Sequence, residues 1–292
     1  MSHSQPRRAY SITFFTLGCL VLVGASLSPA VATAQDASAE ETNTGDDFDK
    51  PPANLFQLLY QYSTAPGTGV APGSLRSVTT DTLKFRFDHK VDLASGWALA
   101  FRSDLPLTAK DPITSQNPTG DYLYGVGDAD IQAALIHDLD QRWTVGAGVR
   151  LIAPTGSNEV GSGKWQMMPG AAVRYALLGI NSASYVEPLV RYDVSFAGDP
   201  SKKNIGNLQI APTVNIGLPN RWFFTLFPSA DIRVNFSDHV TGQKGVLFLP
   251  FDARAGRKLT DNTTVSLEIG VPIIKDYPVY NFKTALRLNV TF

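Results

Sequence analysis

The sequence predicts an all-β chain: an antiparallel transmembrane β-barrel of about twelve strands, behind a cleaved N-terminal signal peptide. Three observations predict it. The last stretch, Val279 to Phe292, alternates Tyr280, Phe282, Thr284, Leu286, Leu288, Val290 and Phe292 with Asn281, Lys283, Ala285, Arg287, Asn289 and Thr291. A period of two is a strand with two unlike faces, and an apolar face ending on aromatics suits lipid on one side and a wet lumen on the other. The same alternation recurs along the chain from Ala53 onward. Hydrophobic content is 43%, yet no apolar run beyond residue 34 approaches the ~20 residues of a membrane helix.

The N-terminus supplies the third observation. Arg7 and Arg8 form a charged start, Ile12 to Leu27 an apolar run, and Ala32-Thr33-Ala34 an A-x-A cleavage site. Residues 1–34 therefore read as a signal peptide, with the mature chain beginning at Gln35. The one cysteine, Cys19, lies in the apolar run behind Thr16, a poor lipoprotein box. The exported chain then has neither disulfides nor thiol chemistry. Residues 35–52 are acidic, with Asp36, Glu40, Glu41, Asp46, Asp47 and Asp49 and almost no apolar side chains. They read as a disordered periplasmic tail, and residues 53–292 as the barrel.

Taken in order, the outward faces are as follows. The first strand carries Phe56, Leu58, Tyr60 and Tyr62. The second carries Leu83, Phe85 and Phe87 against Lys84, Arg86 and Asp88, and the third Trp97, Leu99 and Phe101. The fourth sets Ile131, Ala133 and Leu135 against Asp128, Asp130 and Gln132. The fifth sets Val145, Ala147 and Val149 against Arg150. Later strands repeat the pattern, with Trp165 and Met167, then Val190 and Tyr192, then Leu208 and Ile210. Trp222 and Phe224, Leu249 and Phe251, and Leu267 and Ile269 complete it before the last strand. Long connections rich in Gly and Pro alternate with short turns, the asymmetry of outer loops and periplasmic turns. A turn centred on Asp140 predicts Ile131 beside Val149 and Asp130 beside Arg150. Trp97, Trp143, Trp222, Phe87 and Phe292 sort to the periplasmic rim. Tyr60, Tyr62, Trp165, Phe236 and Tyr280 sort to the outer rim. Pro169, Pro188, Pro212, Pro228, Pro250 and Pro272 fall inside strands, where each removes a ladder donor, so bulges or strand ends are expected there.

Certain blocks resemble a known family. Tyr124-Gly125-Val126-Gly127-Asp128, then Trp143 to Gly156 (WTVGAGVRLIAPTG), Gly161-Ser162-Gly163-Lys164-Trp165 and Pro219-Asn220-Arg221-Trp222-Phe223 are similar to the outer-membrane proteins named for the meta-pathway of phenol degradation. The resemblance spans roughly residues 77–292. It implies an outer-membrane, porin-like barrel that helps import hydrophobic or aromatic compounds, and it carries over no catalytic or binding residue.

The chemistry of the side chains agrees with transport rather than catalysis. Net charge is −1, with no basic excess for nucleic acid. No histidine pair has metal-ligand spacing, and neither glycine-rich block sits between strand and helix as a phosphate loop would. Ser95 near His89 is the nearest approach to a hydrolase pair, and both read as turn residues. No cofactor, metal or enzymatic activity is expected. The sharper feature is the set of charges on the inward face: Asp128, Asp130, Arg150, Arg174, Glu187, Arg191, Asp193, Asp231, Arg233, Asp252, Arg254, Glu268, Lys283 and Arg287. A dry core could not bury so many. They line a pore or brace a narrow barrel by pairing, and their near-equal signs predict neither anion nor cation selectivity. The expected protein is a monomeric channel or transporter for small solutes in the bacterial outer membrane. Its partners are membrane lipid, the solute, and the barrel-assembly machinery through Phe292. The alternatives are a structural or adhesive barrel with a closed lumen and, behind it, an outer-membrane lipid hydrolase.

Overall fold

A computed structural model describes residues 54–66, 77–113, 117–158, 160–240 and 242–292. The expected signal peptide (1–34) and acidic tail (35–52) lie outside the described residues. Fourteen strand segments appear: β1 (Asn54–Ala65), β2 (Val78–Asp92), β3 (Trp97–Lys110), β4 (Leu123–Val126), β5 (Asp130–Asp138), β6 (Trp143–Ile152) and β7 (Lys164–Ala176). They continue as β8 (Tyr185–Gly198), β9 (Gly206–Leu218), β10 (Trp222–Leu226), β11 (Ile232–Asn235), β12 (Leu247–Lys258), β13 (Thr263–Lys275) and β14 (Phe282–Thr291). All pairings are antiparallel and, apart from two interruptions, join neighbours in sequence, while β1 closes the ring on β14 from Leu55↔Thr291 to Thr64↔Phe282. β4 and β5 both pair with β3, and β10 and β11 both lie between β9 and β12. Each of these pairs is one interrupted barrel strand, so the barrel has twelve, as the alternation predicts.

The two faces follow the pleat. In β1, Leu55, Gln57 and Leu59 are buried while Phe56 and Tyr60 are exposed. In β14, Lys283, Ala285, Arg287 and Asn289 are buried between exposed Phe282, Leu286 and Leu288. The buried face carries the charged and polar side chains, with some apolar ones such as Leu55, Leu59 and Ile136 among them, the reverse of a soluble sandwich. The outward face carries a belt of exposed Leu, Ile, Val and Phe, rimmed by aromatics. Trp143 lies 4.6 Å from Tyr175, and Phe87 6.4 Å from Phe292, at the rim holding both ends of the barrel. Trp165 and Phe196, and Tyr192 and Phe236, pair at 6.5 Å at the opposite rim. Tyr280 departs from the expected outer girdle. It precedes β14, turns inward, is only 4% exposed, and donates its hydroxyl to Asp252 Oδ1 at 2.7 Å. The outward alternation of the last strand begins at Phe282, not at Tyr280.

The turn between β5 and β6 also differs from expectation. Ala133 stands opposite Val149, and Gln132, not Asp130, opposite Arg150. The faces are as predicted, but the register is displaced by two residues. The cause is the Asp140 carboxylate, whose Oδ1 accepts the N–H of Arg142 (2.6 Å) and of Trp143 (2.8 Å). This side-chain cap draws Arg142 into the turn and moves its centre toward Gln141.

Prolines mark several irregularities of the ladder, though the β7–β8 register shift between Trp165 and Gln166 has none. The β7–β8 pairing skips from Met167↔Val194 to Gly170↔Arg191 and from Ala172↔Leu189 to Tyr175↔Val186, the gaps that hold Pro169 and Pro188. Pro188 faces Pro212 across β8 and β9, and β9 meets the interruption between β10 and β11, which holds Pro228. Pro250 faces Pro272 beside a register shift. Pro106, unremarked in the sequence, lies in β3 where β4 and β5 part. Missing donors are thus placed where a neighbouring strand does not ask for them.

Candidate functional site

The candidate site is the inward face of the barrel, and its side chains are set by cross-strand register. Two rows of polar residues run along neighbouring strands. Gln57, Arg86, Asp104 and Asp130 are successive partners on β1, β2, β3 and β5. Asp88, Arg102, Gln132 and Arg150 form the next row on β2, β3, β5 and β6. Arg86 meets Asp104 through Nε–Oδ1 at 2.7 Å and Nη2–Oδ2 at 2.8 Å. Arg102 meets Asp88 in the same forked way, both contacts at 2.7 Å. Fork-to-fork pairs of this kind are the strongest arrangement of the two groups. Arg150 binds Gln132 Oε1 (2.9 and 3.1 Å) and lies 3.5 Å from Asp130.

A second cluster fills the side of the last strands. Glu268 on β13 stands opposite Ala285 on β14. The short alanine lets its two neighbours reach over it: Lys283 Nζ is 2.5 Å from Oε1 and Arg287 Nη2 2.6 Å from Oε2. Lys283 also binds Asp231 and lies 3.6 Å from Asp252. Asp231, Asp252 and Glu268 converge closely enough to hold a cation, and that cation is the Lys283 ammonium. Gly270, opposite both Asp252 and Lys283, makes the packing possible. A Cβ there would lie 2.1 Å from Asp252 Oδ1 and 2.9 Å from the Tyr280 hydroxyl.

The remaining predicted residues are distributed around the wall. Arg174 lies 3.9 Å from Glu187 and 3.8 Å over the Tyr185 ring. Arg191 donates to Gln209 at 2.7 Å, and Asp193 is buried on the same strand. Arg233 is 3.4 Å from Asp231. Arg254 contacts Thr225 Oγ1 at 3.3 Å and sits over the Phe223 ring. Asp128 has a different task. Its carboxylate accepts the N–H of Gly156 (2.9 Å) and of Ser162 (2.7 Å), clasping the loop after β6 rather than joining the lumen clusters.

Sequence reasoning left Lys84, Arg86, Asp88, Arg102 and Asp104 out of the charge set, although their alternation with Phe85, Phe87 and Phe101 was signal enough. Tyr280 carried no such signal. His89, of the weighed hydrolase pair, is held through Nδ1 by Asn54 at 2.7 Å, and Ser95 occupies a left-handed turn position (φ 60).

Between the clusters lies a cavity of about 320 Å³. Its cationic wall includes Lys84, Arg86, Arg150, Arg191, Lys283 and Arg287, with Arg233 beside Asp231. Leu59, Pro228 and Val279 add an apolar edge. A second opening of about 590 Å³ lies at the rim of the short turns, between Asp138, Arg142, Arg174 and Ser184.

Residues 61–186 match the family described as "Putative MetA-pathway of phenol degradation". The match includes three of the four blocks quoted above and stops short of Pro219–Phe223. No curated protein matches the chain in sequence. Among solved structures, an outer membrane channel from Pseudomonas putida F1 is similar over 86% of this chain and 100% of its own, with TM-score 0.65 and 21% identity. The translocator domain of the autotransporter NalP from Neisseria meningitidis covers 85% of this chain and 91% of its own, with TM-score 0.49 and 12% identity. With its ring closed, its polar face inside and its apolar face outside, the chain is a twelve-stranded β-barrel of the outer-membrane type, and residues 61–186 carry the sequence signature of the phenol-degradation family.

Proposed function

We propose that the protein is a monomeric outer-membrane channel for small solutes, aromatic or hydrophobic in class. One observation carries the reading: a polar cavity of about 320 Å³ inside a closed wall whose outer surface is apolar. Lipid on the outside satisfies the belt, and water and solute on the inside satisfy the charges. The aromatic class rests on the family match alone. The polar wall favours members of that class that carry a hydroxyl or carboxyl group. Phe292, whose N–H reaches Asn54 O at 3.3 Å where the barrel ends meet, is proposed as the signal read by the barrel-assembly machinery.

A second reading has its own support. Lys283 on β14 reaches Asp231 beside β11, spanning β12 and β13 between them. Such a strut suits a braced, closed lumen and a structural or adhesive role. Conductance of the refolded mature chain in planar bilayers separates the two, once a heat-shifted band on a cold gel shows a folded barrel. Discrete openings are expected from a channel. A folded barrel that leaves the bilayer silent overturns the channel reading in favour of the braced one.

A further inference from the structure

The inward charges are close to balanced in number but not in placement. In several pairs the carboxylate lies deeper in the wall than its cation, although Lys283 with Asp231 and Arg150 with Asp130 reverse that order. Lys84 is 27% exposed against 0% for Asp104, and Arg233 28% against 13% for Asp231. Arg287 and Glu268 show the same order at 7% and 0%. The reason is side-chain length. An Asp or Glu reaches a short way from the strand, whereas a longer Lys or Arg on the neighbouring strand can fold over it, as Lys84 and Arg233 do with their heads partly in water. The cavity records the result: seven cationic side chains line it against one acidic one, Asp231. A narrow wet space between low-dielectric walls concentrates that field.

From this placement we infer that the cavity is an anion-binding site whose ligand is a small aromatic monocarboxylate. Lys84 and Arg233 supply exposed charges, and half-buried Val279 offers the apolar edge that the ring meets. The volume lies within the range of small-ligand sites. The carboxylate binds by charge-assisted hydrogen bonds, with no bond made or broken. This inference deepens the channel reading and rests on it for the route by which the solute arrives.

Lys84 and Arg233 can be removed without stranding a buried charge, because Asp104 keeps Arg86 and Asp231 keeps Lys283. The test is calorimetric titration of the refolded barrel in detergent with benzoate, and with benzamide as the neutral isostere. It is repeated on the Lys84→Gln/Arg233→Gln double variant, with folding checked by the heat-shifted band. Benzoate should bind more tightly than benzamide, and the double variant should lose roughly tenfold or more of that affinity. Equal binding of the two probes, or benzoate binding unchanged in the folded variant, overturns the site. Reversal potential across a salt gradient gives a second measure and should show anion preference in the parent, reduced in the variant. Benzoate binding in a barrel that does not conduct keeps the site and removes the channel reading. Conduction with neither benzoate binding nor anion preference does the opposite.

Discussion

Arg86 and Asp104 stand directly opposite each other on β2 and β3, and their side chains meet through two parallel hydrogen bonds. Both side chains are almost fully withdrawn from water, at 4% and 0% exposure. Asp104 also faces Lys84 at 3.4 Å. Asp104→Ala should therefore cost ~3–5 kcal/mol, since it leaves a buried guanidinium without its carboxylate. Replacing both partners, as Arg86→Met with Asp104→Leu, should cost less than the single change. Urea unfolding of vesicle-inserted protein measures both, and a double variant as damaged as the sum of its parts would refute the pairing.

The outward belt makes a prediction graded by depth. Ile269 lies mid-strand on β13 with its side chain outward, and Ile273 lies near the strand end on the same face. Ile269→Arg should destabilise the barrel by ~2–4 kcal/mol and Ile273→Arg by about 0–1 kcal/mol. Equal penalties would mean that this face does not cross a bilayer as the girdles imply.

The turn at Asp140 predicts a response to acid. The N–H groups of Arg142 and Trp143 hold this carboxyl below its ordinary range. A carboxyl depressed on folding stabilises the folded form at pH above its unfolded value, and that contribution fades as pH falls through the lower folded value. The β5–β6 hairpin should therefore loosen selectively in acid, below the ordinary carboxylate range. Amide exchange at Arg142 and Trp143 should rise there. In Asp140→Asn the same amides should respond less to pH, and an identical pH profile in both proteins would exclude the cap.

Which face each residue takes was legible in the sequence, because a period of two survives any error in strand ends. Phe85 and Arg86, or Leu267 and Glu268, can point only to opposite sides. Register was less legible. The two-residue displacement between β5 and β6 came from a side-chain cap at Asp140, which hydrophobic alternation does not encode. Tyr280 was misplaced for a related reason: the pattern of β14 was carried back past Phe282 into a connection that no longer obeys it. The prolines announced irregularity but not its form. That Pro188 meets Pro212 and Pro250 meets Pro272 depends on pairings set by connections of unequal length. The inward charges were visible singly, whereas which of them face the shared cavity needs three dimensions.

The unequal reach of the two charge clusters bears on how the chain can be put together. In the first cluster, partners lie 18 and 14 residues apart, within a single hairpin. Those charges neutralise one another as soon as β2 and β3 meet. In the second, Lys283 and Asp231 are 52 residues apart, and Glu268 takes both its close cations from β14. Until the final segment arrives, the carboxylates of Asp231, Asp252 and Glu268 crowd together without Lys283, and they repel. A nascent barrel lacking its last strand is thus penalised by its own acidity, and docking of β14 relieves that penalty in the same step that seals the ring. Docking of β14 is in this way coupled to closure of the wall.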